Sequence, residues 1–110
     1  MRHKKLSFDI LSEHTMYLYD ACIYDAPPPK DQLSKIRSLI AEIIETELTP
    51  RQKELVLEHY FKSKTMTEIA EEQGLNKSTV SRILKTARER ISHTLRFSAQ
   101  HLLRDRLQAL

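Results

Sequence analysis

Glycine occurs only once in this chain of 110 residues, at Gly74, and that scarcity excludes several fold classes. Loops that bind phosphate groups need several glycines so that the backbone can approach the ligand closely. Tight β-hairpins also depend on glycine in their turns. From Asp31 onward the chain is instead dominated by residues that favour helices. We therefore expect an all-α fold rather than a glycine-rich nucleotide-binding fold or an all-β fold.

Charge is distributed unevenly along the chain. Residues 1–76 carry 10 Lys/Arg and 13 Asp/Glu, whereas residues 77–110 carry 8 Lys/Arg and 2 Asp/Glu. A basic C-terminal third on a near-neutral body is typical of a protein that binds a polyanion. A solvated basic helix is the alternative explanation of the charge taken alone.

No residue pattern indicates catalysis, a metal site or a membrane span. The five histidines show no short metal-ligand spacing, and the single Cys22 can build neither a zinc site nor an internal disulfide. No spacing suggests a nucleophile next to a base. No apolar run approaches the roughly 20 residues that span a bilayer, and the basic N-terminus does not resemble a signal peptide. We therefore expect a non-enzymatic, cytoplasmic protein that needs no metal or cofactor.

Prolines and capping residues divide the chain into segments. The three prolines of Ala26–Lys30 predict a stiff connector. The segment before the connector carries three of the four tyrosines and predicts a helix packed on the domain. Asp31 is predicted to cap a helix that ends at Thr46–Leu48. These boundaries predict an N-terminal segment with the connector (1–30) and a helical domain (31–110).

The strongest local signal for a helix start is Thr49-Pro50-Arg51-Gln52. Thr49 is placed to cap the helix, Pro50 takes the first helical position, and Gln52 can reach back to the cap. The helix is predicted to run through Phe61. A short turn at Ser63–Thr65 should follow it.

Two short helices on either side of Gly74 predict a helix-turn-helix. Gly74 ends the first in the left-handed conformation that only glycine adopts without cost. Ala70 offers a small side chain where the helices cross. The second helix begins after Asn76 and reaches at least Ile91. The structural residues predicted for this motif are Ala70, Gly74, Val80 and Ile83, and an ordinary αα-hairpin is the alternative.

These residues also carry a family resemblance. Leu48–Gln52, Met66–Glu72 and Leu75–Arg82 together resemble the fourth conserved region of bacterial sigma factors. They are also similar to the related LuxR-type DNA-binding domains. The resemblance covers roughly residues 33–96 and implies that the helix from Lys77 enters the major groove of promoter DNA. It also implies that the preceding helices position that helix and, in sigma factors, contact RNA polymerase.

The chain departs from a complete sigma factor in size. Such a factor carries a further region, rich in aromatic residues, that captures and melts the promoter. Only about 30 residues precede the helical domain in this sequence. We therefore expect a stand-alone region-four-like protein, and promoter opening is not carried over.

Contacts to bases and phosphates are expected near the start and along the outer face of the second helix. Arg82 is the best candidate for a two-pronged contact to guanine, with a phosphate contact as the alternative. Lys85 and Arg88 are predicted to contact phosphates, whereas Thr79 either contacts phosphate or supports the cap. The DNA-binding residues predicted from the sequence are Asn76, Lys77, Ser78, Thr79, Ser81, Arg82, Lys85 and Arg88.

The predicted function is sequence-specific binding of duplex DNA by a nucleoid-associated transcription regulator. The alternative is a sigma-like interaction module that docks on RNA polymerase or another partner and binds DNA weakly. After Ile91, apolar residues continue at helical spacing from Leu95 to Leu107. This extended C-terminal helix either folds back on the N-terminal segment or pairs with a second copy of the chain, and we favour the homodimer.

Overall fold

The protein was analysed as a computed structural model, which describes residues 8–23 and 30–108 and the side chains of residues 14–23 and 30–98. Five α-helices account for most of these residues: α1 (Phe8–Cys22), α2 (Leu33–Thr46), α3 (Pro50–Val56), α4 (Met66–Gln73) and α5 (Lys77–Gln108). No strand occurs in the described ranges. The prediction of an all-α helical bundle with an extended C-terminal helix is confirmed.

Helix α5 is the centre of the bundle. It packs against α1, α2, α3 and α4, and no other helix contacts as many elements. Its inward stripe is Val80, Leu84, Ala87, Ile91 and Leu95, all nearly or fully buried. The spacing of three and four residues puts these side chains on one face of the helix. The orientation of α5 is therefore fixed by its contacts with all four of the other helices.

The predicted N-terminal helix is present as α1, and it packs on the domain as expected. Among its described side chains, Thr15, Leu18, Tyr19 and Cys22 are buried at helical spacing, and Ile23, immediately after the helix, is buried as well. The apolar members belong to the same core cluster as the helices that follow the connector. Burial raises the pKa of Cys22 to about 12. The proline connector lies almost wholly in residues 24–29, outside the described residues, and the boundary at residue 30 stays a prediction.

The start of α2 differs from the expected start. Lys30–Gln32 form a short 3₁₀ turn, and Gln32 rather than Asp31 occupies the N-cap position. Because the chain already turns at residues 30–32, Asp31 lies one residue too early to cap α2, and the cap makes no side-chain hydrogen bond. The predicted end is confirmed, since α2 stops at Thr46.

Helix α3 begins as the capping residues predict. The Thr49 hydroxyl accepts from the Gln52 amide at 3.2 Å, and the Thr49 amide donates to Gln52 Oε1 at 3.0 Å, with Pro50 in the first turn. The predicted continuation through Phe61 is helical, but its last part, Leu57–Phe61, is a π-helical turn. The Lys62 amide accordingly donates to the carbonyl five residues earlier, at 2.9 Å.

Helix α4 follows the predicted turn and has a capping box of its own. The Thr65 hydroxyl accepts from the Glu68 amide at 3.1 Å, and Glu68 Oε1 accepts from the Thr65 amide at 3.2 Å. This cap was not predicted, although Thr-x-x-Glu before a helix is a recognisable capping signature. Two reciprocal caps, before α3 and before α4, thus define the starts of the two helices that precede the turn at Gly74.

Candidate nucleic-acid interface

The turn between α4 and α5 has the geometry that a helix-turn-helix needs. Gly74 adopts φ +64° and ψ +34°, and its amide bonds to the Ala70 carbonyl. The Leu75 amide donates to the same carbonyl at 2.9 Å. A Cβ placed on Gly74 would meet no atom within 4 Å, so the requirement for glycine comes from the backbone conformation and not from crowding.

The buried side of the motif holds α4 against α5. Ile69 and Ala70 of α4 are 0% and 6% exposed, and Val80 of α5 is 0% exposed. Ile83, predicted to lie inward, is only half-buried and packs at the edge of the core. Ala87, which sequence analysis did not single out, is fully buried one turn further along. Small residues therefore lie on the inner faces of both helices, Ala70 on α4 and Ala87 on α5.

The opposite side of α5 is polar and open to solvent. Asn76 immediately precedes the helix, and its carbonyl accepts from the Thr79 and Val80 amides at 3.0 and 3.1 Å. Thr79 is half-buried beside the exposed face. The exposed residues of this face, which share it through spacings of one and four residues, are Lys77, Ser78, Ser81, Arg82 and Lys85. We call this set, together with Asn76, the polar face of α5.

The cations of the polar face are not neutralised by the protein. The structure gives the side chains of Lys77, Arg82 and Lys85 no hydrogen bond or ion pair with any residue that it describes. All three are exposed. Their full charge is therefore directed at solvent or at a ligand on this side of the molecule.

Cations on the neighbouring helices are engaged instead. Arg51 donates to Gln73 at 2.8 Å and so links the first turn of α3 to the end of α4. Lys53 pairs with Glu45 at 2.6 Å. Lys64 lies between Glu58 and Glu72 and pairs with both. Hydrogen bonding to Lys64 is the main cause that lowers the pKa of Glu58.

Two more cations at the edges of the motif, Lys62 and Arg90, also pair with acidic residues. Lys62 pairs with Glu58 at 3.0 Å, and Arg90 pairs with Glu47 at 3.3 Å. Ion pairs therefore join the body of the domain, whereas the polar face of α5 keeps its positive charge.

Arg88 is placed differently from the other predicted DNA-binding residues. It is half-buried, and its Nη1 donates to the Tyr60 hydroxyl at 3.0 Å. Tyr60 lies in the π-helical turn and is 5% exposed. Burial raises the pKa of Tyr60, so its hydroxyl stays protonated at neutral pH. The pair has no signal in the sequence, because residues 28 positions apart give no periodic pattern.

The described part of the chain offers no metal centre and no membrane span. No group of three or more His, Cys, Asp or Glu side chains is placed there to hold a metal ion. None of its helices combines the length and the apolar character that crossing a bilayer requires. The polar face of α5 presents three exposed cations without ion pairs among the described residues.

Comparison with known proteins identifies the motif. Residues 46–93 match the family model for sigma-70, region 4. The match begins at the last residue of α2 and includes α3, α4 and the polar face of α5. No curated protein and no solved structure matched the chain. Over residues 46–93 this chain is therefore similar to sigma-70 region 4, and the similarity supports a helix-turn-helix DNA-binding module there.

Proposed function

We propose that this protein is a sequence-specific regulator of transcription that binds duplex DNA through the polar face of α5. The observation that carries the proposal is the set of exposed, unneutralised cations on that face, beside paired cations on α3 and in the loop before α4. A phosphate backbone attracts such a surface, and the serine and asparagine side chains add hydrogen-bonding groups without adding bulk. We further propose that the protein is not an enzyme and that it acts in the cytoplasm, associated with the nucleoid.

The geometry supports separate roles for the residues of the polar face. The major groove is wide enough for one helix, and the residues that contact bases come from the start and outer face of that helix. Arg82 lies in the second turn of α5, where its guanidinium can donate two hydrogen bonds to one guanine. Lys77 and Lys85, one turn before and one turn after, suit phosphates on either side. Ser78, Ser81 and Asn76 are small enough for close approach to the groove.

Salt dependence tests whether DNA is the partner. If the three cations of the polar face displace counterions from phosphates, the affinity should fall with salt, with a log–log slope of roughly −3 for one bound chain and roughly −5 for a dimer that applies two such faces to DNA. Fluorescence anisotropy of a labelled duplex, titrated at several potassium chloride concentrations, measures this slope. A flat response would refute DNA as the partner. It would favour the alternative, a sigma-like module that docks on RNA polymerase, which pull-down with purified polymerase then tests directly.

We also propose that the intact chain forms a homodimer through the C-terminal part of α5. Leu95, the first residue of the predicted C-terminal stripe, is buried in the core of the same chain, alongside residues of α1. At Leu95, therefore, the C-terminal helix folds back on the N-terminal segment of the same chain. The helix nevertheless continues for 13 more residues to Gln108. Isolated helices of about 12–15 residues are marginal in water, so a second copy would stabilise this extension.

Sedimentation equilibrium tests the dimer. The intact chain should sediment as a dimer, and a chain truncated after Ser98 should remain folded and sediment as a monomer. Truncation at this point leaves Leu95 in place, so the loss of the dimer does not result from a damaged core. Because one recognition helix contacts few bases, the truncated chain should also lose any preference for paired half-sites. A monomeric intact chain at concentrations well above those used for binding would refute the dimer.

A further inference from the structure

Besides the direct packing of α5 on α1, a buried tyrosine, Tyr60, joins the inner border of the polar face to α1. We propose that Tyr60 is a positioning residue for DNA binding: it holds Arg88 of α5, is itself held by α1, and so sets the rotation of the recognition helix. The inference rests on the proposed function, because it assigns to Arg88 a part in that function other than contact with phosphate.

Tyr60 is joined to Arg88 by a hydrogen bond. The hydroxyl accepts from Arg88 Nη1 at 3.0 Å, and Tyr60 is 5% exposed. A side chain buried to this extent in the π-helical turn cannot lie against DNA. Whatever Tyr60 contributes to binding must therefore pass through the protein, and its polar contact on α5 is Arg88.

Arg88 lies at the border between the buried and the exposed side of α5. Counting 100° per residue, Arg88 lies between the buried stripe of Leu84 and Ile91 and the exposed edge at Ser81 and Lys85. Rotation of α5 about its own axis would change the distance from Arg88 to Tyr60. The same rotation would move the polar face relative to a bound groove. A hydrogen bond at this border therefore opposes the motion that would misplace Arg82 on DNA.

Two residues of α1 contact Tyr60. The Tyr60 carbonyl accepts from His14 Nδ1 at 3.0 Å, and the Tyr17 ring lies with its centroid 5.7 Å from that of Tyr60. His59, in the same π-helical turn, contacts the Tyr60 ring edge-on at 4.8 Å between centroids. The backbone, ring and hydroxyl of Tyr60 are thus contacted from α1, from the π-helical turn itself and from α5. Helix α1 has no part in the helix-turn-helix itself, yet it fixes the residue that fixes α5.

A double-mutant cycle with Tyr60→Phe and Arg88→Ala tests the inference. Tyr60→Phe removes only the hydroxyl and is the mildest change available at this site. We expect each variant to bind the selected DNA site about threefold to tenfold more weakly, and the double variant to bind no more weakly than the weaker single variant. Affinities are compared at a temperature at which circular dichroism shows every variant fully folded, so that a loss of stability alone leaves them unchanged.

The salt slope separates positioning from phosphate contact. If Arg88 positions α5, Arg88→Ala should leave the log–log slope unchanged, whereas the control Lys85→Ala should make it shallower by about one for each bound chain. The same change in slope for Arg88→Ala, with additive losses in the cycle, would show that Arg88 contacts phosphate and would overturn the inference. Wild-type affinity for Tyr60→Phe would overturn it as well.

The part of α1 is tested in the same way. His14→Ala removes the hydrogen bond to the Tyr60 carbonyl. It should weaken DNA binding when Tyr60 is present and have no further effect when Tyr60→Phe is already in place. An equal effect in both backgrounds would show that α1 acts by another route. Failure of the wild-type chain to bind any duplex is a distinct result, since it refutes the proposed function itself.

Discussion

Replacing Arg82 with alanine should abolish or relax specific DNA binding while leaving the protein as stable as the wild type. A two-pronged arginine contact to guanine contributes about 1–3 kcal/mol of discrimination against the wrong base. The free energy of unfolding should change by less than about 0.5 kcal/mol, because the side chain is exposed and makes no hydrogen bond or ion pair with a described residue. The binding site is first selected from random duplexes with the wild-type chain. Affinity for that site and for a scrambled duplex is then measured by anisotropy.

Arg90→Ala is the matched control for this experiment. Arg90 is an exposed arginine on the same helix, and its partner is Glu47 of the domain body. The two variants lose the same charge, so a general electrostatic effect would weaken both equally. We expect only Arg82→Ala to lose the preference for the selected site. Unfolding of Arg82→Ala would instead assign a structural role to this residue and contradict its place on the polar face.

Replacing Ala70 with leucine should destabilise the fold by roughly 1–3 kcal/mol. Ala70 is 6% exposed, and it belongs to the packed core where α4 meets α5. Three additional carbon atoms at this point must push the two helices apart or force neighbouring side chains out of their preferred rotamers. Urea denaturation followed by circular dichroism measures the change. DNA binding should weaken with it, since the polar face depends on the position of α5.

Glu71→Leu is the control for the added leucine. Glu71 is the next residue of α4, is exposed, and has no ion pair among those that the structure gives. A leucine there adds apolar surface without crowding the core, so the stability should stay within about 0.5 kcal/mol of the wild type. Equal stability of the two variants would mean that the helix crossing has room for a large side chain, which would contradict its close packing.

The local elements of the helix-turn-helix could be predicted because their causes lie within a few residues of each other. Thr49 caps α3 through Gln52, three positions away. Gly74 ends α4 because its own backbone adopts a left-handed conformation. The exposed and buried faces of α5 follow from a spacing of three and four residues. The same short-range logic could have found the cap at Thr65, since its partner is also three positions away.

Other features leave no reliable signal in the pattern of neighbouring residues. Asp31 has the chemistry of a cap, but the 3₁₀ turn at Lys30–Gln32 shifts the start of α2 beyond it. The π-helical turn at Leu57–Phe61 has no signature in the periodicity of apolar residues. Ile83 fits the inward stripe by spacing and is nevertheless half-buried, because burial depends on which neighbouring helix covers that part of α5.

Sequence alone determined the helical class, the position of the turn and the identity of the polar face, since each follows from the preferences of neighbouring residues and from helical spacing. The tertiary structure decided which charges of that surface remain available. Arg51 and Lys53 find partners on other helices and Arg90 finds one at the end of α2, whereas Lys77, Arg82 and Lys85 find none among the described residues. It also placed Arg88 against Tyr60 and linked both to α1. The physical reason is that an ion pair or a buried hydrogen bond depends on distances across the bundle, and those distances exist only once the helices have packed.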